Sequence, residues 1–119
     1  MILPRPILFR VNAARVARLR GPLRWDDRLA SIARDRARKA ARIEKHPGGL
    51  DSAMSGRWED AGEALAWLYN SGNDPVPLWL ASPEHRRLIL DRVWTHGGVG
   101  IYRRSGSVTV SLVVADRTP

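Results

Sequence analysis

Few side chains in this sequence could hold a metal or move a proton. There are three histidines, His46, His85 and His96, and no cysteine, which excludes disulfides, thiolate metal sites and a cysteine nucleophile. His46 follows the end of a predicted helix, where terminal carbonyls favour an imidazolium, and taken alone it reads as a structural residue. His85 falls in the first turn of another predicted helix, where the macrodipole disfavours a cation and so favours neutral imidazole. Neutral imidazole is the form that a metal or a general base requires. Glu63 stands between Gly62 and Ala64 at the head of the apolar stretch Leu65-Ala66-Trp67. Its carboxylate therefore lies near an apolar layer and needs a partner. His96, between Thr95 and Gly97, reads as an ordinary loop residue. No local motif such as His-Glu-x-x-His joins these groups, so folding must bring them together if they are to form a site.

The elements that would position them follow from periodicity. Leu8, Val11, Ala14 (or Arg15), Val16, Ala17 and Leu19 recur at helical spacing and Gly21-Pro22 stops the pattern, predicting a first amphipathic helix from Ile7 to Arg20. Leu23 to Asp27 is a short link whose aspartates supply the acceptor and negative charge of a helix start. A second helix is expected from about Asp27 to Lys45. Its inward face reads Leu29, Ile32, Ala33, Ala37, Ala40 and Ala41, with Arg34, Asp35, Arg38, Lys39 and Arg42 mostly outside. His46-Pro47-Gly48-Gly49 ends it, and Leu50 to Arg57 reads as a loop. Ala61, Leu65, Ala66 and Leu68 predict a third helix around Asp60 to Tyr69, broken by Asn70 to Pro75. Val76 to Leu80 is a short apolar turn containing Trp79. Ser82-Pro83-Glu84 then supplies the N-cap, first-position proline and acidic first turn of a helix reaching about Leu90. From Gly98 the period becomes two: Gly98 to Tyr102 and Val108 to Val114 read as a hairpin joined through Ser105-Gly106. Val108, Val110, Leu112 and Val114 share a face that only the helices can cover. The fold class is α+β, helices packed on a small antiparallel sheet with a C-terminal hairpin.

The chain has 119 residues, 44% hydrophobic and 27% charged, which suits one globular domain and excludes a collagen-like or disordered chain. In the opening eleven residues, Pro4, Arg5, Pro6 and Arg10 leave no apolar run long enough for a signal-peptide core or a membrane span. The expectation is a processed chain, one used inside the cell, or a component of something larger. Met1 to Lys45 carries 13 Lys and Arg against 4 Asp and Glu, whereas His46 to Pro119 carries 7 against 8. Such an excess supports anion contact. Only two of the twenty basic residues are lysine, a bias toward arginine through the whole chain. No glycine-rich phosphate loop, zinc knuckle or aromatic stacking sequence accompanies the charge, so nucleic acid is a minor expectation.

The order of several short motifs resembles the CAP superfamily of cysteine-rich secretory proteins, venom antigens and pathogenesis-related proteins, specifically its short bacterial SCP branch. The motifs are Asn12 and Arg15, Pro22-Leu23-x-Trp25-Asp26-x-x-Leu29-x-x-x-Ala33, His46, Gly62-Glu63, Trp79-x-x-Ser82-Pro83-x-His85-Arg86, Ile89-Leu90 and Gly98-Val99-Gly100. Together they run from Val11 to about Ala115. The resemblance implies a CAP-like α-β-α sandwich, a single domain over residues 1–119 with its core at about 7–115. It also implies that His46, Glu63 and His85 converge on a cleft, beside Trp79 and Ser82, that takes Zn2+ or another divalent cation in many relatives. Ala64 stands where many relatives have Asn, and Ser82 stands near the place of a second glutamate, with Glu84 on another side of the helix turn. At most three protein ligands remain, the form of an open zinc site.

Fold does not fix chemistry, so several functions follow from the resemblance. The first is a binding module for an extracellular or cell-envelope ligand, a glycan, peptide or lipid. The second is a metal-assisted hydrolase with His46 and His85 as ligands and Glu63 as ligand or base. The third is a structural or attachment part of a larger surface assembly or virion.

Overall fold

The computed structural model describes residues 2–54, 58–69 and 74–117. Its elements are α1 (Pro4–Ala17), β1 (Arg24–Trp25), α2 (Asp27–Ile43), α3 (Leu50–Ala53), β2 (Trp58–Tyr69), α4 (Pro75–Ala81), α5 (Pro83–Ile89), β3 (His96–Arg104) and β4 (Ser107–Arg117). The four strands lie in the order β1-β3-β4-β2, with β1 parallel to β3 and the other neighbours antiparallel. Helices cover both faces, giving an α-β-α sandwich.

Alternation along β4 assigns the layers. Val108, Val110, Leu112 and Val114 form one core with Ile7, Leu8 and Val11 of α1, Val76 and Trp79 of α4, and Ile89 of α5. Val113 and Ala115, on the opposite face, pack on Leu29 and Ala33 of α2 and on Met54. The expected hairpin is present and turns at Gly106, whose φ is +76°, a conformation that costs glycine nothing. Close approach explains another glycine pair. A Cβ on Gly98 would run into the backbone of Leu29 and Ala30, and one on Gly100 into Ala33 and Arg34. The two glycines therefore let α2 lie directly on β3.

The helix predicted over Asp60 to Tyr69 is instead the 12-residue strand β2, paired with β4 from Ala61↔Ala115 to Tyr69↔Ser107. Both of its faces are covered in the middle, so Ala64, Leu65 and Ala66 are all buried. Burial on two sides erases the alternation that marks a strand, and the surviving apolar spacing imitates a helix. The first helix also runs from Pro4 to Ala17 rather than from Ile7 to Arg20. Two residues of the expected link pair with β3 as β1, and the expected loop after Gly49 opens with the single helical turn α3. The breakers Asn70 to Asn73 and residues Ser55 to Arg57 lie outside the described residues.

Polar side chains set the element junctions. Asp26 caps α2, accepting from the Leu29 amide at 2.9 Å. Asn12 of α1 clasps Leu23 in both directions: its Nδ2 donates to the Leu23 carbonyl at 3.0 Å and its Oδ1 accepts from the Leu23 amide at 2.7 Å. Arg15, 1% exposed, donates to the carbonyls of Gly21, Ile89, Asp91 and Trp94 at 2.8, 2.6, 2.9 and 3.4 Å. It joins the end of α1 to the end of α5. Burial lowers its pKa, with Asp91 opposing the shift.

Candidate functional site

Among the described residues β2 pairs with β4 alone and so forms one edge of the sheet, flanked by the two helical layers. Of the residues singled out in the sequence, Glu63 lies on this strand, Trp79 bonds to it and His46 packs on its Trp67. Glu63 projects on the α2 side, where Arg36 meets it. Arg36 Nε donates to Glu63 Oε2 at 2.6 Å and Nη2 donates to Oε1 at 3.0 Å. The two side chains are 4% and 6% exposed. Ser111 of β4 adds a third bond, its hydroxyl donating to Oε2 at 3.1 Å. A two-toothed guanidinium-carboxylate pair of this kind satisfies charges that burial would otherwise penalise heavily. The carboxylate thus has the partner that its apolar surroundings require, and that partner is a cation of the protein itself.

Arg36 does more than neutralise Glu63. The same guanidinium donates to the Pro47 carbonyl at 2.6 Å and the Gly48 carbonyl at 3.3 Å, clamping the segment that follows His46. His46 itself is exposed and lies edge-on to Trp67, with ring centroids 5.7 Å apart. Trp67 is fixed in turn by its indole N–H, which donates to the Ala40 carbonyl of α2 at 3.0 Å. His85 is half-buried and its pKa is lowered, first by burial and then by the nearby charge of His46, with Glu84 opposing. The direction agrees with the neutral imidazole expected for His85. The leading cause is desolvation, and the second is the neighbouring imidazole. His46 is thus near enough for its charge to be felt at His85.

Trp79 is 1% exposed and its indole N–H donates to the Leu65 carbonyl of β2 at 3.0 Å. It supports the edge from within the core and presents no surface to a ligand. Ser82 takes the N-cap position of α5, half-buried, but its side chain makes no capping bond. His96, expected in a loop, is the first residue of β3; its Nδ1 lies 2.8 Å from the Thr95 hydroxyl and its ring meets Trp58 edge-on. Among the described residues, no three or more His, Cys, Asp or Glu side chains are grouped as a metal ion requires. With Glu63 committed to Arg36, the donors present do not fit a three-ligand zinc centre.

Two participants were not anticipated. Arg36 falls at helical spacing from Leu29, Ala33, Ala37 and Ala40, all fully buried, so a charged residue on that stripe was the available signal. Beyond Trp67 a groove of about 370 Å3 continues along the same face, lined by Trp67, Tyr69, Thr109, Ser107, Arg104 and Glu44 among others. Arg104 is held there by donation to the Ala41 carbonyl at 3.0 Å. The aromatic pair is two residues apart on one strand and so shares a face. The result is a mixed aromatic and polar surface that adjoins His46 through Trp67.

A four-stranded sheet covered by helices on both faces is the architecture of a known class of domain. The family model of the cysteine-rich secretory protein family, CAP, matches residues 8–115, and the chain belongs to that family. It is 32% identical over 107 residues to the uncharacterized membrane protein YlbC of Bacillus subtilis, covering 82% of this chain and 31% of that protein. Among solved structures, it resembles an extracellular protein containing an SCP domain from Bacillus anthracis, with TM-score 0.81, 22% identity and coverage of 96% of this chain and 40% of that one. An outer surface protein of Borrelia burgdorferi gives TM-score 0.79 at 18% identity, with 96% and 92% coverage. The chain thus spans about a third of the curated relative that it matches. Among the described residues, no helix is long and apolar enough to cross a membrane.

Proposed function

We propose that this CAP domain is a binding module of the cell envelope or extracellular space that takes a polar polymer, a glycan strand or an extended peptide, in the groove between the end of α2 and the hairpin end of the sheet, beside Trp67. The observation that carries this reading is Trp67, which is locked to α2 through Ala40 and touches His46 on one side and the groove to Tyr69 and Arg104 on the other. Rigid aromatic side chains give contact area at little entropic cost, and the polar neighbours supply orientation. A lipid chain would want an apolar enclosure, and this groove is mixed. The surface proteins that share the fold are consistent with an envelope location. The experiment is an NMR titration of the intact chain with soluble cell-wall glycan fragments and, separately, with a peptide library. Movement of the Trp67 indole, Tyr69 and Thr109 resonances is expected, with binding partly retained in the His46→Ala, His85→Ala double variant. Unmoved resonances with every probe, in a folded protein, would sink the proposal, as would complete loss of binding in that double variant.

The proximity of two imidazoles, one held toward its neutral form, favours a second reading in which a divalent cation binds His46 and His85. For the hydrolase version, Glu63 would first have to leave Arg36 and Ser111. Elemental analysis after incubation with zinc decides between them: stoichiometric uptake supports a metal role, and its absence removes the hydrolase.

A further inference from the structure

We infer that Arg20, Arg86, Arg87 and Arg92 form a second binding site, a pocket for a phosphate-bearing anion at the C-terminal end of α5. These four guanidinium side chains line a surface pocket of about 530 Å3 together with Pro83, Leu90 and Asp91, a volume within the range of small-molecule sites. His46, Trp67 and His85 are not among its lining residues, so it is independent of the groove described above.

Arginines near a helix end ordinarily serve the helix, satisfying its last carbonyls and its dipole. Here that work does not fall to Arg86, Arg87 or Arg92. The Leu88 carbonyl accepts from the Trp94 indole at 2.8 Å, Ile89 and Asp91 accept from Arg15 at 2.6 and 2.9 Å, and Leu90 accepts from Arg20 Nε at 2.9 Å. Arg86, Arg87 and Arg92 are exposed and, among the described residues, none of them joins the ion pairs of the protein, which use Arg5, Arg10, Arg36 and Arg38. They are surplus cations at a finished helix end. Arg20 is oriented by its bonds to Leu90 and, from Nη1, to the Arg18 carbonyl at 2.7 Å, which fixes its guanidinium while Nη2 takes part in neither bond. The lone carboxylate of the lining, Asp91, accepts from the Val93 amide at 2.9 Å. Four guanidinium groups against one such carboxylate repel one another until an anion enters. Their forked donors match phosphate oxygens in pairs, which lysines would not. Arg92 also lines a neighbouring pocket of about 410 Å3 that contains Arg24, so the basic surface extends beyond a single phosphate.

Leu19 bears on the source of the phosphate. It sits next to Arg20, 84% exposed, with φ +61°, a backbone state that disfavours Leu over Gly or Asn. A bare leucine beside a basic pocket suits a lipid headgroup at a membrane surface, whereas a free phosphate compound would make no use of it.

The first test titrates inorganic pyrophosphate into the intact chain and follows the arginine Nε–Hε resonances. Arg20, Arg86, Arg87 and Arg92 should move and Arg36 should not. The Arg86→Ala, Arg87→Ala double variant, altered only at exposed side chains, should bind at least about tenfold more weakly. Asp91→Asn, which keeps the acceptor for Val93, should bind more tightly. Equal affinity of wild type and the double variant, or equally tight binding of malonate, would overturn the inference. The second test co-sediments the protein with phosphatidylcholine vesicles with and without phosphatidic acid. Retention on the acidic vesicles that Leu19→Asn abolishes, with pyrophosphate affinity unchanged, assigns the phosphate to a lipid. Pyrophosphate binding without vesicle retention assigns it to a soluble compound. Failure of both overturns the site and leaves the β2 groove untouched.

Discussion

Replacing Glu63 by Ala strips Arg36 of its carboxylate while leaving its charge in place, at a site where the two side chains are 4% and 6% exposed. Two charge-assisted bonds of 2.6 and 3.0 Å disappear, and the Ser111 hydroxyl loses its acceptor. Breaking a buried pair from one side costs about 3–5 kcal/mol, because the remaining charge is desolvated without compensation. For a domain of this size that corresponds to a fall of roughly 10–20 °C in melting temperature. The double replacement Arg36→Met, Glu63→Met removes both charges together and should recover much of the loss, since an apolar pair of similar volume is often neutral or better. The recovery should be incomplete, because the Pro47 and Gly48 carbonyls also lose their donor. Equilibrium urea unfolding of wild type, both single variants and the double variant gives the coupling energy directly. A Glu63→Ala loss below about 1 kcal/mol, or a double variant that fares worse than either single one, would refute a buried ion pair.

Other consequences are narrower. Gly98→Ala pushes a methyl group into the α2 backbone at Leu29 and Ala30 and should lower stability by about 1–3 kcal/mol or more, measured by thermal unfolding, while Gly21→Ala, in open space, should change it little. Asn12→Ala removes both bonds to Leu23 and should cost about 1–3 kcal/mol by the same assay. His46→Ala should raise the midpoint of His85 in an NMR titration but leave it below its ordinary value, because burial is the larger cause and persists. His85 is depressed in the folded state, so the unfolded chain takes up its proton first as pH falls. Its contribution to stability is complete above about 6.5 and is lost on acidification through that value toward the folded pKa; His85→Gln should flatten that part of the stability profile.

What the sequence made legible depended on whether a residue's environment is set locally. The hairpin, the Asp26 cap, the breaks around His46 and Ser82-Pro83, and the inward stripe of α2 are all encoded within a few residues of where they act. Strand β2 is not. Asp60 to Tyr69 is rich in Ala, Leu and Glu, good helix formers, and becomes a strand because β4 supplies a partner along its length. Pairing of that kind is a tertiary fact that overrides local preference. Glu63 was legible as a carboxylate needing a partner, and the partner was hidden because Arg36 belongs to a segment where arginine is frequent. Only its place among the buried Leu29, Ala33, Ala37 and Ala40 distinguished it from the solvated arginines beside it. The arginine pocket was hidden for the opposite reason. Charge counted along the chain concentrates in the first 45 residues, whereas Arg86, Arg87 and Arg92 come from a nearly neutral segment and meet Arg20 only in space.

A crystal structure of the protein grown with zinc tests most directly the claim that Glu63 belongs to Arg36 and is no metal ligand. The expected result keeps Arg36 Nε and Nη2 on Glu63, with any bound ion held by the two imidazoles and water. Glu63 turned away from Arg36 and coordinating zinc together with both histidines would contradict it.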